Sequence, residues 1–231
     1  MTPVGFARSE RARQARREFA ATRRRYNRIA AFYDLLEIFD ERRFRPWRLR
    51  MLTRAAGRVL EVGVGTGKNF SCYPAGIELT GIDVAEGMLA AARVRVSRLG
   101  MSVNLALADV QDLPFCDDAF DTAVSSFVFC SVPDPLRGLR ELRRVVKSEG
   151  RILMLEHLQA GRTAPGIMGR FLQRIAGGLL GPEIRNRMAL ELLRQAGLEI
   201  TRIETRQAEE DIREIETGPG KARLPGAGLA A

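Results

Sequence analysis

Glycines at positions 63, 65 and 67 follow directly on Val59-Leu60-Glu61-Val62, so a run of β-forming residues ends in a tight turn where backbone can come close to a ligand. Two familiar glycine loops do not fit. A phosphate loop of the type G-x-x-x-x-G-K-S/T needs Gly at 62 and Ser or Thr at 69, where Val62 and Asn69 stand. The dinucleotide fingerprint G-x-G-x-x-G needs Gly at 68, where Lys68 stands, so NAD is the weaker reading. The next two apolar runs each end on an acid. Leu79-Thr80-Gly81-Ile82-Asp83 places a carboxylate about 20 residues after Gly63, where a βαβ unit holds ribose hydroxyls. Residues 103–109 end on Asp109, which can accept from an adenine amino group.

With those residues in view, the chain resembles the class I S-adenosylmethionine-dependent methyltransferases. The resemblance rests on VLEVGVGTGKNF (59–70), TGIDVAEGML (80–89), ADVQDLPF (108–115), FDTAVSSFVFCSVPDP (120–135) and LRELRRVVKSEGRILMLEH (139–157). Together they span about 100 residues in the right order, which is more specific than any one motif. Within that family it is most similar to the phosphatidylethanolamine N-methyltransferases and their quinone-methylating relatives, and GTGKNF and LMLEH point to the former. The resemblance implies S-adenosyl-L-methionine as cofactor, with no metal. Glu61 would attract the methionyl ammonium, and Gly63, Gly65 and Gly67 would let backbone approach. Asp83, with Val84 and Met88 after it, would serve the ribose side. Asp109 and Val110 would contact adenine, and Ser126 with Phe127 would line the methionyl side.

The elements that must position these residues alternate strand and helix from Arg58 onward, which predicts an α/β, Rossmann-like doubly wound sheet. Seven strands are expected, mostly parallel with an antiparallel last strand, and an N-terminal helical arm precedes them. Phe120 to Ser126 reads as the fourth strand, Leu136 to Lys147 as a helix opened by Pro135, and Arg151 to Glu156 as the fifth strand. The last pair covers Leu198 to Thr205 and Asp211 to Thr217. Where the family carries Pro-Gly-Gly before its fifth strand this chain has Ser148-Glu149-Gly150, which leaves the turn geometry open. The domain reading is a basic arm and lid over 1–54, the cofactor domain over 55–217, and a Gly/Pro/Ala tail over 218–231. Residues 161–182 read as an amphipathic insertion over the catalytic edge.

Composition bounds the rest. At 231 residues, 45% hydrophobic and 28% charged, the chain supports one sizeable core, and no apolar run is long enough to cross a bilayer. With no apolar leader after the arginine-rich start, a cytoplasmic protein is expected, peripheral on the inner face of the membrane if the arm binds there. Cys72, Cys116 and Cys130 have no C-x-x-C spacing, which argues against zinc or a disulfide framework. Residues 1–54 hold 15 arginines against six acids, an excess of nine that equals the whole net charge of +9. Phe19, Tyr26, Ile29, Ala30 and Tyr33 recur there at helical spacing, so residues 7–30 read as a basic amphipathic helix suited to an anionic membrane surface. A merely solvated helix is the plain alternative. Nucleic acid ranks last, because no aromatics are interleaved for base stacking. The spacing leaves oligomeric state open.

Tyr26 and Tyr33 are seven apart and share a helix face; they resemble the Y-x-x-x-A-x-x-Y-D lid of the subfamily, and core packing is the alternative. Methyl transfer from a sulfonium needs alignment, and a base only where the acceptor carries a proton. His157, the single histidine, is the candidate base at the end of the fifth strand, although a lone histidine is more often structural. Arg185 and Arg187 are candidates for a lipid phosphate. The expected function is N-methylation of a phospholipid amine such as phosphatidylethanolamine. The rivals are a quinone-ring C-methyltransferase, a thiol or small-molecule methyltransferase, and a cofactor-binding regulatory protein without turnover.

Overall fold

The computed structural model describes residue 17, residues 19–30, residue 33 and residues 38–157, 190–205 and 212–219. One seven-stranded sheet organises them: β1 (Arg58–Val62), β2 (Glu78–Asp83), β3 (Val103–Leu107), β4 (Phe120–Ser126), β5 (Val146–His157), β6 (Leu198–Thr205) and β7 (Ile212–Pro219). Their spatial order is β3-β2-β1-β4-β5-β7-β6. The first five run parallel, and β7 is antiparallel to both β5 and β6. The chain leaves β1 toward β2 on one side and later returns to β4 on the other, so a crevice opens beyond the carboxyl ends of β1 and β4.

The central strands are buried on both faces because both faces are covered, whereas β3 at the edge keeps exposed positions. In β1, Leu60 and Val62 enter one core, which includes Leu139, Leu142 and Leu193 from the helices Pro135–Val145 and Leu190–Gln195. Val59 enters the other, with Trp47, Met51 and Leu52 of the helix Ile38–Leu52 and Leu89 and Ala92 of the helix Glu86–Leu99. In β5 the same alternation sends Ile152 and Met154 one way and Leu153 and Leu155 the other. The helix stops are equally local. Gly100 and Gly197 take left-handed φ of 61° and 74° after their helices, and Asp134 caps the helix that begins at Pro135 by accepting the Arg137 amide at 3.0 Å.

Several boundaries differ from the sequence expectation, beginning with the helix opened by Pro135, which ends at Val145 rather than Lys147. β5 begins at Val146, since Val146 already pairs with Phe120, and the register then jumps so that Thr122 pairs with Arg151. Residues 147–150 fill that irregularity. A Cβ at Gly150 would lie 2.8 Å from the Asp121 carbonyl oxygen, so glycine is needed there even without the Pro-Gly-Gly of the family. β7 runs on to Pro219, two residues into the stretch read as tail, because Gly218 and Pro219 pair with Glu199 and Leu198.

Residues 19–29 are helical and lie across the mouth of the crevice. The helix Glu86–Leu99 starts from Ala85, which has no side chain to cap it, and Asn27 Oδ1 accepts the Gly87 amide at 2.8 Å instead. A Cβ at Gly87 would press to 3.0 Å from Ala30 Cβ, so the close approach of arm and domain depends on glycine. Ile29, Ala85 and Met88 make a small apolar cluster beneath, and Arg23 pairs with Glu86 at 2.7 Å on the outside. The expected insertion over 161–182 and the tail from 220 onward lie outside the described residues.

Candidate cofactor site

The three glycines of the turn do different work. All have left-handed φ, at 62°, 54° and 82°. A Cβ at Gly63 would fall 2.5 Å from Val128 Cγ2 and one at Gly67 2.4 Å from Phe70 Cε2, so these two are fixed by packing. Around a Cβ at Gly65 there is nothing within 4 Å among the described residues, and Gly65 lines the crevice. Of the three, Gly63 and Gly65 line the crevice, whereas the place of a Gly67 side chain is taken by the Phe70 ring.

Asp83 holds the turn from the next strand. Its Oδ2 accepts the Gly65 amide and its Oδ1 the Ala85 amide, both at 2.9 Å. Burial pushes this carboxyl above its usual range, and the two amides draw it back. Each oxygen keeps a further lone pair, so the group can also accept from a vicinal diol. Asp109 stands at the far end of the same face. It accepts from Gln111 through the amide at 2.9 Å and the side chain at 3.0 Å, and Gln111 Oε1 in turn accepts the Asp134 amide at 2.9 Å.

At the other end, Glu61 is buried and accepts Asn69 Nδ2 at 2.8 Å and the Tyr73 hydroxyl at 2.9 Å. Desolvation lifts its carboxyl to about 7 against the opposing pull of these bonds and of Arg48. Asn69 Nδ2 also reaches Ser126 Oγ at 3.1 Å, while its buried Oδ1 has no hydrogen-bond partner among the described residues. Arg48 and Lys68 stand on the same wall.

The two ends form one trough. Tyr33, Gly63, Gly65, Ser126 and Phe127 line both, Glu61 and Asn69 lie toward one end, and Asp83, Val84, Met88, Asp109 and Val110 toward the other. Tyr26 roofs it, with its hydroxyl 2.9 Å from Ser131 Oγ and its ring 6.4 Å from that of Tyr33 in an edge-on arrangement. Lys68 Nζ sits 5.4 Å from the centre of the Tyr33 ring. Of the expected residues, His157 closes β5 at the same edge, with its side chain outside the described residues, as are Arg185 and Arg187.

Two groups beside the trough were missed in the sequence. Arg48 is one arginine among 15 in the arm, with nothing local to set it apart. Glu156 follows directly on the apolar run Ile152–Leu155 within β5, a signal that was available. It is fully buried; its Oε1 accepts the Ser125 hydroxyl at 2.6 Å and the Val128 amide at 3.0 Å, and its carboxyl is lifted to about 7 by burial. It thereby fastens the turn in which Phe127 takes φ of 59° and donates its amide to the Leu155 carbonyl at 2.8 Å.

A doubly wound sheet with a glycine turn after β1 and a carboxylate closing β2 is the arrangement of nucleoside-binding Rossmann-like proteins, and the buried Glu61 beside the turn can receive a cationic part of a ligand. S-adenosyl-L-methionine fits, on the open face of Gly65, the diol-accepting Asp83, and the unpartnered Asn69 Oδ1 next to Glu61. The comparisons agree. Residues 60–154 match the family described as a methyltransferase domain. A phosphatidylethanolamine N-methyltransferase of Cereibacter sphaeroides is 41% identical over 44% of this chain, which spans 51% of that relative's length. A demethylmenaquinone methyltransferase of Thermus thermophilus is 34% identical, covering 67% of this chain and 76% of the relative. Among solved structures, a possible histamine N-methyltransferase from Thermotoga maritima superposes with a TM-score of 0.62 over 86% of this chain and 99% of its own, at 22% identity, which speaks to the fold. The chain belongs to the S-adenosylmethionine-dependent methyltransferase family, and S-adenosyl-L-methionine is its cofactor.

Proposed function

We propose that the protein is a methyltransferase that N-methylates a phospholipid amine such as phosphatidylethanolamine at an anionic membrane surface. The observation that carries this is the roof of the trough. Tyr26 and Tyr33 stand over the bound region on the same arginine-rich arm that a membrane would attract, so acceptor and surface arrive from one side. The name of the Cereibacter relative supports the acceptor class. Among the described residues no helix is long and apolar enough to cross a membrane, so contact with lipid would be through the arm.

The cofactor supplies an activated methyl carbon on a sulfonium. The chain's own task is alignment. Glu61 and Asn69 hold the methionyl ammonium, Asp83 the ribose, and Asp109 and Val110 the adenine; the Ser126–Phe127 turn sets the wall beside the sulfur. Tyr26 and Tyr33 orient the acceptor ammonium by their ring faces. His157 takes the proton that an ammonium must lose before its nitrogen can attack, and Arg185 and Arg187 receive the lipid phosphate.

A quinone-ring acceptor is the second reading, favoured by the larger share of the demethylmenaquinone methyltransferase that this chain covers. Transfer of labelled methyl from S-adenosylmethionine to vesicles of phosphatidylethanolamine and an anionic lipid separates the two. Label on the headgroup, reduced in a form lacking residues 1–24 and at high salt, supports the lipid reading. Cofactor binding with label only on demethylmenaquinone would overturn it, and binding with label on no acceptor would indicate a regulatory protein.

A further inference from the structure

The sheet has two lateral edges, and they are finished differently. β6 carries Glu199, Arg202 and Glu204, Arg202 pairs with Glu204 along the strand, and the ladder to β7 shifts register between Ile200 and Arg202. Charges and bulges of this kind keep an edge strand from pairing with another chain. β3 has neither. Its residues Val103-Asn104-Leu105-Ala106-Leu107 include no charge and no proline, and their register with β2 runs without a break. Of the four large apolar side chains that stand exposed among the described residues, three, Val94, Leu99 and Leu107, belong to β3 or to the helix Glu86–Leu99 packed against it.

The backbone of β3 shows which of its groups are open. The Ala108 amide donates to the Asp83 carbonyl of β2 at 3.1 Å, so by alternation the amides and carbonyls of Asn104 and Ala106 face β2, whereas those of Val103, Leu105 and Leu107 face away from the sheet. Among the described residues β3 pairs with no strand other than β2. The side chains of the three outward residues also share one face, the one on which Val103 and Leu105 meet the helix Glu86–Leu99. An antiparallel copy of β3 centred on Leu105 sets Leu105 against Leu105 and Val103 against Leu107, and this is the one register that engages all three outward residues. Apolar meets apolar at each pair, Asn104 stands opposite Ala106 on the other face, and no like charges meet. A strand that matches itself about a two-fold axis selects a second copy of this chain as its partner. We infer that β3 is the site where two copies join, antiparallel about a two-fold at Leu105, into one continuous sheet. The two cofactor troughs then open at opposite ends of the joined sheet.

Sedimentation equilibrium of the full chain in lipid-free buffer tests it. The mass should rise from the 25.7 kDa of one chain toward twice that value between about 1 and 200 μM, the range of a small interface. Leu107→Arg puts a charge against Val103 of the second copy and should weaken association about tenfold or more, with melting temperature and affinity for S-adenosylhomocysteine unchanged. Cross-linking reads the register. Asn104 and Ala106 of the second copy form a pair without backbone bonds, with Cα atoms about 4.5 Å apart and within disulfide reach, whereas Asn104 is out of reach of its own counterpart. In a Cys116→Ser background, which removes the exposed thiol, Asn104→Cys and Ala106→Cys should each stay uncross-linked alone under copper phenanthroline and join when mixed. A monomer mass at every concentration would overturn the inference. So would equal cross-linking of the single variants and the mixture, or association that Leu107→Arg leaves unchanged, either of which would put the contact on another surface and leave the β3 edge to a different partner.

Discussion

Glu156 Oε1 accepts the Ser125 hydroxyl at 2.6 Å, joining β5 to β4 at the point where β4 gives way to the Ser126–Phe127 turn of the cofactor trough. The same oxygen takes the Val128 amide at 3.0 Å, so one buried carboxyl holds both sides of a turn whose centre, Phe127, has left-handed backbone. Glutamine keeps an acceptor oxygen at this place, and alanine removes it and leaves buried donors unpaired. Glu156→Gln should bind S-adenosylhomocysteine within a few-fold of wild type, whereas Glu156→Ala should lose about 2–3 kcal/mol of stability and bind more weakly. Chemical denaturation and calorimetry read the two effects.

The two buried carboxyls also give a pH signature. Glu61 and Glu156 are each lifted to about 7 in the fold by burial, whereas in the unfolded chain both titrate near the ordinary glutamate value. Between about pH 4.5 and 7 the native state therefore holds protons that the unfolded state has released, and this contribution to stability is full below that window and is lost as pH rises through it. Each group contributes a slope of up to about 1.4 kcal/mol per pH unit. Thermal melting across pH 4.5–8 should show wild type losing stability relative to Glu61→Gln and Glu156→Gln as pH rises. Parallel curves would contradict the assignment.

The glycine turn divides by function. Gly63→Ala and Gly67→Ala drive a methyl into Val128 and Phe70 as well as straining φ, so both should destabilise the fold by about 2–4 kcal/mol. Gly65→Ala meets only open space and should cost about 1 kcal/mol from its φ alone, yet it should weaken cofactor binding most for its cost in stability. The ratio of melting shift to loss of affinity is the measurement.

Asp83 both positions the turn and faces the trough. Asp83→Ala removes the acceptor for the Gly65 and Ala85 amides, and cofactor affinity should fall by about 30-fold or more, a loss of about 2 kcal/mol. Asp83→Asn keeps one acceptor oxygen and should fall between. Titration with S-adenosylhomocysteine ranks the three.

Asn27 and Tyr26 tie the lid helix to the domain through one bond each to Gly87 and Ser131, and these bonds should be separable from the fold. Asn27→Ala removes the only side-chain acceptor seen for the Gly87 amide among the described residues, and Tyr26→Phe removes the bond to Ser131. Each should leave global stability within about 1 kcal/mol while speeding dissociation of S-adenosylhomocysteine several-fold. Stopped-flow release rates compared with melting temperatures test this; equal effects on both would show that the arm is simply part of the core.

Much of this protein is written in local pattern. The strand-to-turn passage at Val62–Gly63, the acids ending β2 and preceding the Asp109 turn, and the order of strands and helices follow from apolar runs and from glycines whose backbone needs act over a few residues. The carboxyl edge that gathers Glu61, Asp83, Asp109 and Ser126 could be expected because parallel crossovers allow only one such edge. What remained for the tertiary structure were the relations between distant positions. Tyr26 meets Ser131 across 105 residues and Asn27 meets Gly87 across 60, and no local period records such contacts. Arg48 is indistinguishable in composition from its fourteen neighbours in the arm until Trp47 is buried and the helix is seated, and Gly67 resembles Gly65 until Phe70 packs beneath it. Burial decides what a charge or a glycine is for, and burial is a property of the whole fold: the sequence determined which groups were available at the site, and packing determined which of them face the ligand.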